Sequence, residues 1–232
     1  MPVLNPTVSG QIASAFSATH AGARDATSGT ASTTVSRYSQ AIKYNKVVSS
    51  KGTQVSVTRY FIEFDTSGIS VAPVSADLSL YGFANNSADF FVVKADFSDG
   101  TIANADFDSI VGWSAGADNS SNVTKYSAEV ETFSTSAFND IALNSTALSD
   151  IASVDNFKLC LIQAENDLAN VDPASTTSLT TGLWRTFNTI HLDYTPGSAI
   201  GYGQDVIGVA SANIEKVIGV ARGDIEKVIG VD

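Results

Sequence analysis

The sequence predicts an all-β protein: a jelly-roll-like antiparallel β-sandwich followed by a short C-terminal repeat tail. Only 16% of its 232 residues are charged and 44% are hydrophobic, while Ser, Thr, Asn, Ala and Gly are abundant. That composition is typical of sandwiches and barrels with short polar turns. Apolar and polar residues also alternate in several short runs, which indicates strands. Gly, Pro, Asn and Asp separate these runs, as turns require.

Residues 1–34 are predicted to form an N-terminal arm or an edge strand. The segment is rich in Ala, Ser, Thr and Gly. It contains GQIASAFSAT (10–19) as a weak strand candidate, and the HAGARDATSGT that begins at its end is prone to turns. We therefore place the sandwich at residues 35–196.

The strongest strand is predicted at QVSVTRYFIEFD (54–65), where alternation divides the side chains between two faces. One face carries Val55, Val57, Arg59, Phe61 and Glu63, and the other carries Tyr60, Ile62 and Phe64. Further strands are predicted at VSRYSQAIKYN (35–45), ADLSLYGF (76–83), DFFVVKADF (89–97), FKLCLIQAE (157–165) and RTFNTIHLDY (185–194). No helix of ordinary length is predicted before residue 200.

The segment 98–156 is predicted to be a long irregular connection, which is normal in jelly rolls. It contains side chains of the type that binds calcium, namely Asp140, Asn144, Asp150 and Asp155. Their spacing does not match D-x-[DN]-x-[DN]-G with a distal Glu, and turns use the same residue types. We therefore predict turns here and no metal site.

The net charge of −11 is unevenly distributed along the chain. Residues 1–60 contain six Lys and Arg against Asp25 alone, a balance of six minus one, or +5. These cations do not cluster, so we interpret them as solvated faces of strands and not as a basic arm for an acidic partner. An acidic chain without a basic patch repels phosphate, which predicts no nucleic-acid partner.

Membrane insertion is not expected. No run approaches the roughly 20 apolar residues that a spanning helix needs. The first residues, MPVLNPTVSGQ, show no basic region followed by an apolar core, so we expect no export signal.

No catalytic motif is recognisable in the sequence. G-x-S-x-G, H-E-x-x-H, a glycine-rich phosphate loop and a Cys/His cluster are all missing. Cys160 lies between apolar residues and is predicted to be a buried, inert thiol. Besides His20 the chain has only His191, which alternates with Thr189 and Asp193 as expected of a sheet-surface residue. We predict no enzymatic activity and no cofactor.

Two kinds of residue keep a sugar-directed role open. Carboxylate pairs of the kind that hydrolyse glycosides occur at Glu63 with Asp65 and at Glu129 with Glu131, but i, i+2 spacing on a strand more often marks a solvated face. The aromatic side chains that could stack on sugars are Trp113, Trp184, Tyr81 and Tyr126. Burial is the commoner fate of such residues in a sandwich.

Residues 197–232 are predicted to form a hinge and an assembly tail, since an eleven-residue unit is written almost twice in NIEKVIGVARGDIEKVIGVD. Its apolar spacing matches a helical stripe with an eleven-residue repeat, whereas Gly208, Gly219 and Gly230 favour single capped turns or short strands. Helix and strand both remain open. One unit cannot bury its stripe alone and must pack on another surface. The predicted assembly residues are Ile214, Val217, Ile218, Ile225, Val228 and Ile229.

The order of RYFIEFDTSGIS, VSADLSLYGF, FKLCLIQAE and TFNTIHLDYTP resembles the DNRLRE-type domain, a carbohydrate-binding-module-like jelly roll of disaggregatase-related and surface-associated proteins. The resemblance covers roughly residues 10–196 and implies the same fold. The chain departs from the family's Trp-rich middle segment in having only Trp113 and Trp184. The resemblance also implies glycan binding as a function.

The tandem IxKVxGV tail after a GYG-like hinge resembles the ends of phage virion proteins. This resemblance implies a non-enzymatic structural protein of a capsid or tail, located in the virion, with other virion proteins as partners and a homo-oligomeric state. The alternative is a carbohydrate-binding adhesin module that acts outside the cell or at a cell surface on a host glycan. A polysaccharide-active enzyme is the third class considered.

Overall fold

The computed structural model describes residues 1–33, 40–84, 88–183 and 189–197, and the backbone alone of 85–86, 216–217 and 220–221. The strands are β1 (Val3–Leu4), β2 (Val8–Ala13), β3 (Thr30–Ser32), β4 (Gln40–Ser49), β5 (Gly52–Asp65), β6 (Ser75–Asn86), β7 (Phe90–Lys94), β8 (Phe138–Ala142), β9 (Asn156–Gln163), β10 (Thr177–Leu183), β11 (Ile190–Thr195), β12 (Lys216–Val217) and β13 (Val220–Ala221). The helices are α1 (His20–Arg24), α2 (Ser145–Ile151), a 3₁₀-helix (Asn104–Asp108) and a π-helix (Ala164–Leu168).

The strands form two connected antiparallel sheets. In the front sheet β6 lies between β11 and β8, and β1 follows β11 at the outer edge. In the back sheet the order is β10, β4, β5, β2 and β3, and β9 pairs with both β5 and β7. Strand β6 pairs with β11 through residues 75–80 and with β10 through residues 82–86, so it passes from one sheet to the other. The fold is an all-β, jelly-roll-like antiparallel sandwich, as the sequence predicts.

The first hydrophobic core lies between the two sheets. The face of β5 that carries Tyr60, Ile62 and Phe64 packs there against Leu78 of β6 and Leu192 of β11. Helix α2 closes one end through its buried residues. The side chains that alternation places together on β5 therefore do share one buried face.

A second hydrophobic core covers the opposite face of the back sheet. It contains Val55, Val57 and Phe61 of β5, the face that alternation separates from the first core. The cover consists of α1, the 3₁₀-helix, parts of the long connection and the π-helix, through Ala23, Phe97, Ile102, Phe107, Val123 and Leu168. Strand β5 is consequently buried on both faces over most of its length.

The first 33 residues contribute strands to the sandwich. Strand β2 pairs with residues 58–63 of β5 on one side and with β3 on the other, so it is an interior strand and not a free arm. Strand β3 forms one edge of the back sheet, and β1 forms one edge of the front sheet. The predicted division at residue 34 falls within 34–39, outside the described residues.

The tail contributes one described feature. Strands β12 and β13 pair with each other in antiparallel register and form a sheet separate from the sandwich.

Among the described residues, no helix is long and apolar enough to cross a membrane.

Candidate functional site

The solvent-facing surface of the front sheet brings together several aromatic, hydroxyl and carboxylate side chains. Because side chains alternate along strands, β6, β8 and β11 each send one set of residues into the first core and the other set outward. We call the outward set the front face: Asp77, Ser79 and Tyr81 of β6, Phe138 and Asp140 of β8, and His191 and Asp193 of β11. The second core covers much of the back sheet, whereas neither hydrophobic core covers the front face among the described residues.

Three rings form one end of the front face. Phe138 lies at the centre, with its ring centroid 5.2 Å from that of Tyr81 and 5.0 Å from that of His191. Both contacts have edge-on geometry, which aromatic pairs favour. Phe138 remains 42% exposed, and the Tyr81 hydroxyl is fixed by donating to the carbonyl of Ser136 at 2.7 Å. The cluster thus offers a rigid ring surface to solvent.

Hydroxyl and carboxylate groups form the rest of the face. The Ser79 hydroxyl lies 2.5 Å from Asp140 Oδ1 and 3.0 Å from Asp193 Oδ2, so its single proton can serve only one of them at a time. His191 Nε2 lies 3.0 Å from the same Asp193 oxygen. The register explains the grouping, because Ser79 is directly opposite His191 on one side and Asp140 on the other.

Negative charge accumulates at the next position along β6. Partial burial raises the pKa of Asp77 above its ordinary value, and the carboxylates of Asp140 and Asp193 raise this pKa further. Strand β6 therefore carries a carboxyl group whose ionised form is disfavoured by its surroundings.

The front face has the wrong geometry for nucleophilic catalysis, although it contains Ser, His and Asp. A nucleophile needs a hydrogen bond to its base and access to substrate. The Ser79 hydroxyl instead contacts two carboxylates, and Ser79 is only 1% exposed. What the face can offer to a ligand is ring surface and hydrogen-bond acceptors. Within the described ranges no group of three or more His, Cys, Asp or Glu side chains could hold a metal ion.

The four residues considered as calcium ligands have different positions and different hydrogen-bond partners. Asp140 belongs to the front face. The Asn144 side chain caps α2 by accepting from the Ala147 N–H at 3.1 Å. Asp150 accepts from Lys94 at 2.8 Å and from the Tyr126 hydroxyl, and with Asp155 it lines a cleft of about 410 Å³ beside β7 and β9. Each of the first three has a structural partner, but the prediction of turns is wrong for Asp140, which lies on β8, and for Asp150, which lies in α2.

The two carboxylate pairs have different outcomes. Glu129 and Glu131 are exposed, as predicted. The prediction of a solvated face is wrong for Glu63, which is 2% exposed. Its carboxylate accepts from the Thr7 hydroxyl at 2.6 Å and from the Gly100 N–H at 3.0 Å, so it joins the N-terminal segment to the long connection. Asp65, its predicted companion, is exposed and accepts from Ser67.

The prediction that the cations of residues 1–60 are solvated is wrong for two arginines. Arg24 and Arg59 are fully buried. Arg59 donates twice to the carboxylate of Asp167, at 2.9 and 2.7 Å, and its guanidinium lies between the rings of Phe107 and Trp113, at 4.2 and 4.0 Å from their centroids. Buried charges persist in proteins when they are paired and hydrogen-bonded, as here.

Arg24 extends this buried cluster. It donates to Asp25 at 2.6 Å, to the carbonyl of Ala117 at 2.7 Å and to the backbone carbonyl of Asp167. Burial lowers the pKa of Arg24, while Asp167 and Asp25 oppose that shift. Its guanidinium also lies 4.4 Å from the Trp113 ring centroid. The cluster joins α1, β5, the π-helix and the long connection, so its role is structural.

The remaining predicted residues are placed as follows. Cys160 is free and fully buried, as predicted, and burial raises the pKa of its thiol well above the usual range. Tyr126 is also buried, and Trp113 packs on the two arginines, so neither presents a free ring to a sugar. Tyr81 is on the front face. Trp184 lies outside the described residues.

The predicted assembly residues fall almost wholly outside the described part of the chain. Ile214, Ile218, Ile225, Val228 and Ile229 are not described, and Val217 is described only as backbone in β12.

Comparison of the sequence with models of known protein families finds no match, and comparison with curated proteins finds none either. The resemblances to the DNRLRE-type domain and to phage virion proteins therefore stay predictions.

The front face is not predicted by the sequence. His191, Tyr81 and Asp140 each belong to a separate prediction above, and none of those predictions includes Phe138 or Ser79. The available signal was period-two alternation in ADLSLYGF and TIHLDY, which separates Asp77, Ser79 and Tyr81, and His191 and Asp193, from the apolar positions. Only the strand register brings the two sets together.

Proposed function

We propose that the protein is a non-enzymatic structural component of a phage virion. In this proposal the sandwich is displayed on the particle, and the C-terminal repeat attaches it to other virion proteins or to further copies of the chain. Capsid decoration and tail association are both compatible with it.

The separate pairing of the two described tail strands, together with the repeated sequence, supports the proposal. Strand β11 pairs with β6 along one edge over residues 190–195 and with β1 on the other edge at residues 192 and 193, so both of its neighbours belong to the sandwich. The described strands of the tail pair only with each other. A repeated apolar unit that is too short to bury its own stripe needs another surface to cover it.

The energy available to such an attachment is sufficient. Six apolar side chains at roughly 1.5–3 kcal/mol each give on the order of 10 kcal/mol before ordering costs. Half of that free energy corresponds to a Kd of about 1 mM or lower for one copy. The overall affinity increases further when several linked copies bind at once.

The test compares Ile218→Asp/Ile229→Asp with the control Lys216→Gln/Lys227→Gln, which changes the net charge by the same amount at polar positions of the same repeat. We expect the first variant to lower the oligomer mass in sedimentation while the melting transition of the sandwich stays unchanged. The control should assemble like the parent chain. Unfolding of the sandwich in the first variant, or an unchanged mass, contradicts the proposed role of the tail.

Glycan binding by the front face is the second candidate function. It is favoured by the exposed Phe138 ring next to Tyr81 and His191, with carboxylate acceptors alongside, because sugars combine apolar C–H surfaces with hydroxyl donors. A glycan array followed by calorimetry on the best hit tests it. Phe138→Ala should abolish binding, and Val74→Ala, an exposed apolar residue outside the front face, should not. Equal binding by both variants, or no hit, removes this candidate.

A further inference from the structure

A groove separates the free edge of the front sheet from the edge of the back sheet. One wall is β8. The other is the segment 127–132, which is held to β7 by two backbone hydrogen bonds between Val130 and Phe90, at 2.8 and 3.3 Å. The groove has a volume of about 410 Å³, which is within the range of roughly 300–1,000 Å³ for ligand clefts.

Both ends of the groove are tied together, so its shape is fixed. At one end the Asn144 N–H donates to the carbonyl of Tyr126 at 2.8 Å, and the Asn144 side chain donates to the carbonyl of Lys125 at 2.8 Å. At the other end Asn139 accepts from the Ser134 N–H at 2.6 Å and donates back to the Ser134 carbonyl at 3.0 Å. The five residues of β8, which include Asn139 itself, span about 17 Å at ~3.4 Å per residue.

The groove exposes unpaired backbone groups of β8. Leu143 and Ala137 are hydrogen-bonded to β6 opposite Ala76 and Gly82. In an antiparallel ladder the pairs alternate, so the N–H and C=O groups of 139 and 141 also face β6, and those of 138, 140 and 142 face the groove. In the described structure these outward groups have no backbone partner, since β8 pairs with β6 alone. Such an edge accepts an added strand.

The groove is acidic. Glu129 and Glu131 are exposed on one wall and Asp140 on the other. Partial burial raises the pKa of Glu129, as do the nearby carboxylates of Asp89 and Glu131, while Lys125 opposes the shift. Lys125 is itself held over the Phe91 ring, 4.1 Å from its centroid. The carboxylates therefore outnumber the cations, and a positively charged partner is favoured.

We propose that β8 binds an extended basic peptide segment of a partner protein by strand addition. Its backbone pairs with Asp140 and Ala142, and its cationic side chains face Glu129 and Glu131. A second copy of this chain is the less favourable occupant, because antiparallel pairing of two β8 strands places Asp140 of one copy near Asp140 of the other. This inference does not depend on the virion role or on the tail.

The experiment titrates the full ¹⁵N-labelled chain with a capped hexapeptide of alternating Lys and Val, and measures amide hydrogen exchange. In the free protein we expect the amides of Asp140 and Ala142 to exchange quickly and that of Ile141 slowly. Peptide should slow exchange at Asp140 and Ala142 at least tenfold and leave Ile141 unchanged. Binding without this alternating protection contradicts strand addition, and no binding at millimolar peptide overturns the proposal.

Charge is tested with variants and a second peptide. Glu129→Lys/Glu131→Lys should raise the Kd at least tenfold, whereas Asp96→Lys/Glu165→Lys, which alters exposed carboxylates outside the groove, should keep it within twofold. If the first variant melts early, Glu129→Gln/Glu131→Gln replaces it with an expected threefold loss. Equal binding of a Glu and Val hexapeptide contradicts the charge argument. Protection of Asp140 and Ala142 that rises with protein concentration alone assigns the edge to a second copy and overturns the proposal.

Discussion

Replacing Asp167 with Asn should destabilise the sandwich severely. Asp167 and Arg59 are both fully buried, and the carboxylate accepts two hydrogen bonds from the guanidinium. The substitution preserves shape and removes the charge, which leaves Arg59 buried without a carboxylate in contact. Removing one member of a buried pair costs about 3–5 kcal/mol. Since domains are stable by only about 5–15 kcal/mol, much of the folding free energy would be lost.

Urea unfolding followed by circular dichroism measures this loss as a lower midpoint at unchanged slope. Asp99→Asn is the matched control: Asp99 pairs with Lys158 but its side chain is 68% exposed, so we expect the midpoint to stay where it is. The variant Arg59→Met should also be destabilised. The double variant Arg59→Met/Asp167→Asn should lose less free energy of unfolding than the sum of the losses of the two single variants. A loss below about 1 kcal/mol for Asp167→Asn would refute the assignment of Asp167 as the counter-charge of the cluster.

Three further predictions concern single side chains. Cys160 should resist a thiol reagent in the native protein and react fully in urea, because burial raises its pKa and denies access; native labelling contradicts its burial. Asp77→Asn should raise the melting temperature at pH 7, where the ionised carboxyl of Asp77 is disfavoured in the folded chain. The gain should vanish near pH 3, below the ordinary Asp pKa of about 3.9, because the carboxyl is then protonated in both the folded and the unfolded chain. A gain in melting temperature that persists at pH 3 points to another cause. Gly82→Ala should lower the free energy of unfolding by about 1–3 kcal/mol, since its Cβ would lie 2.2 Å from the Ser134 carbonyl oxygen. Gly68→Ala is the control and should leave the stability unchanged, because there is open space around Gly68. Equal stability of the two variants contradicts the close approach at Gly82.

Alternation predicts several of the strands because it reflects local geometry. It does not predict β10, and the expectation of an irregular connection over 98–156 is wrong for β8 and α2, which lie within it. Both faces of β5 were separated correctly, and the strands at 76–83, 89–97 and 157–165 occur where expected. Alternation does not show what covers a face. The run from Tyr60 to Phe64 is nearly all apolar, and its second face is buried by segments distant in the sequence.

The errors on charged residues have the same origin. Arg59 is predicted to be solvated because the cations of residues 1–60 do not cluster in the sequence, whereas its partner in the structure, Asp167, is 108 positions away. Glu63 is similar, with partners at Thr7 and Gly100. A sequence without long-range information cannot distinguish a paired buried charge from a solvated one, and the front face was missed for the same reason.

Localisation of the protein in phage particles is the decisive measurement. Particles released from cells that carry the gene are purified on a density gradient and labelled with gold-conjugated antibody against the sandwich, for the full chain and for a chain truncated after Gly197. The virion proposal predicts regular labelling of capsids or tails with the full chain and loss of labelling with the truncated one. Protein that stays in the particle-free fraction with the full chain would contradict it.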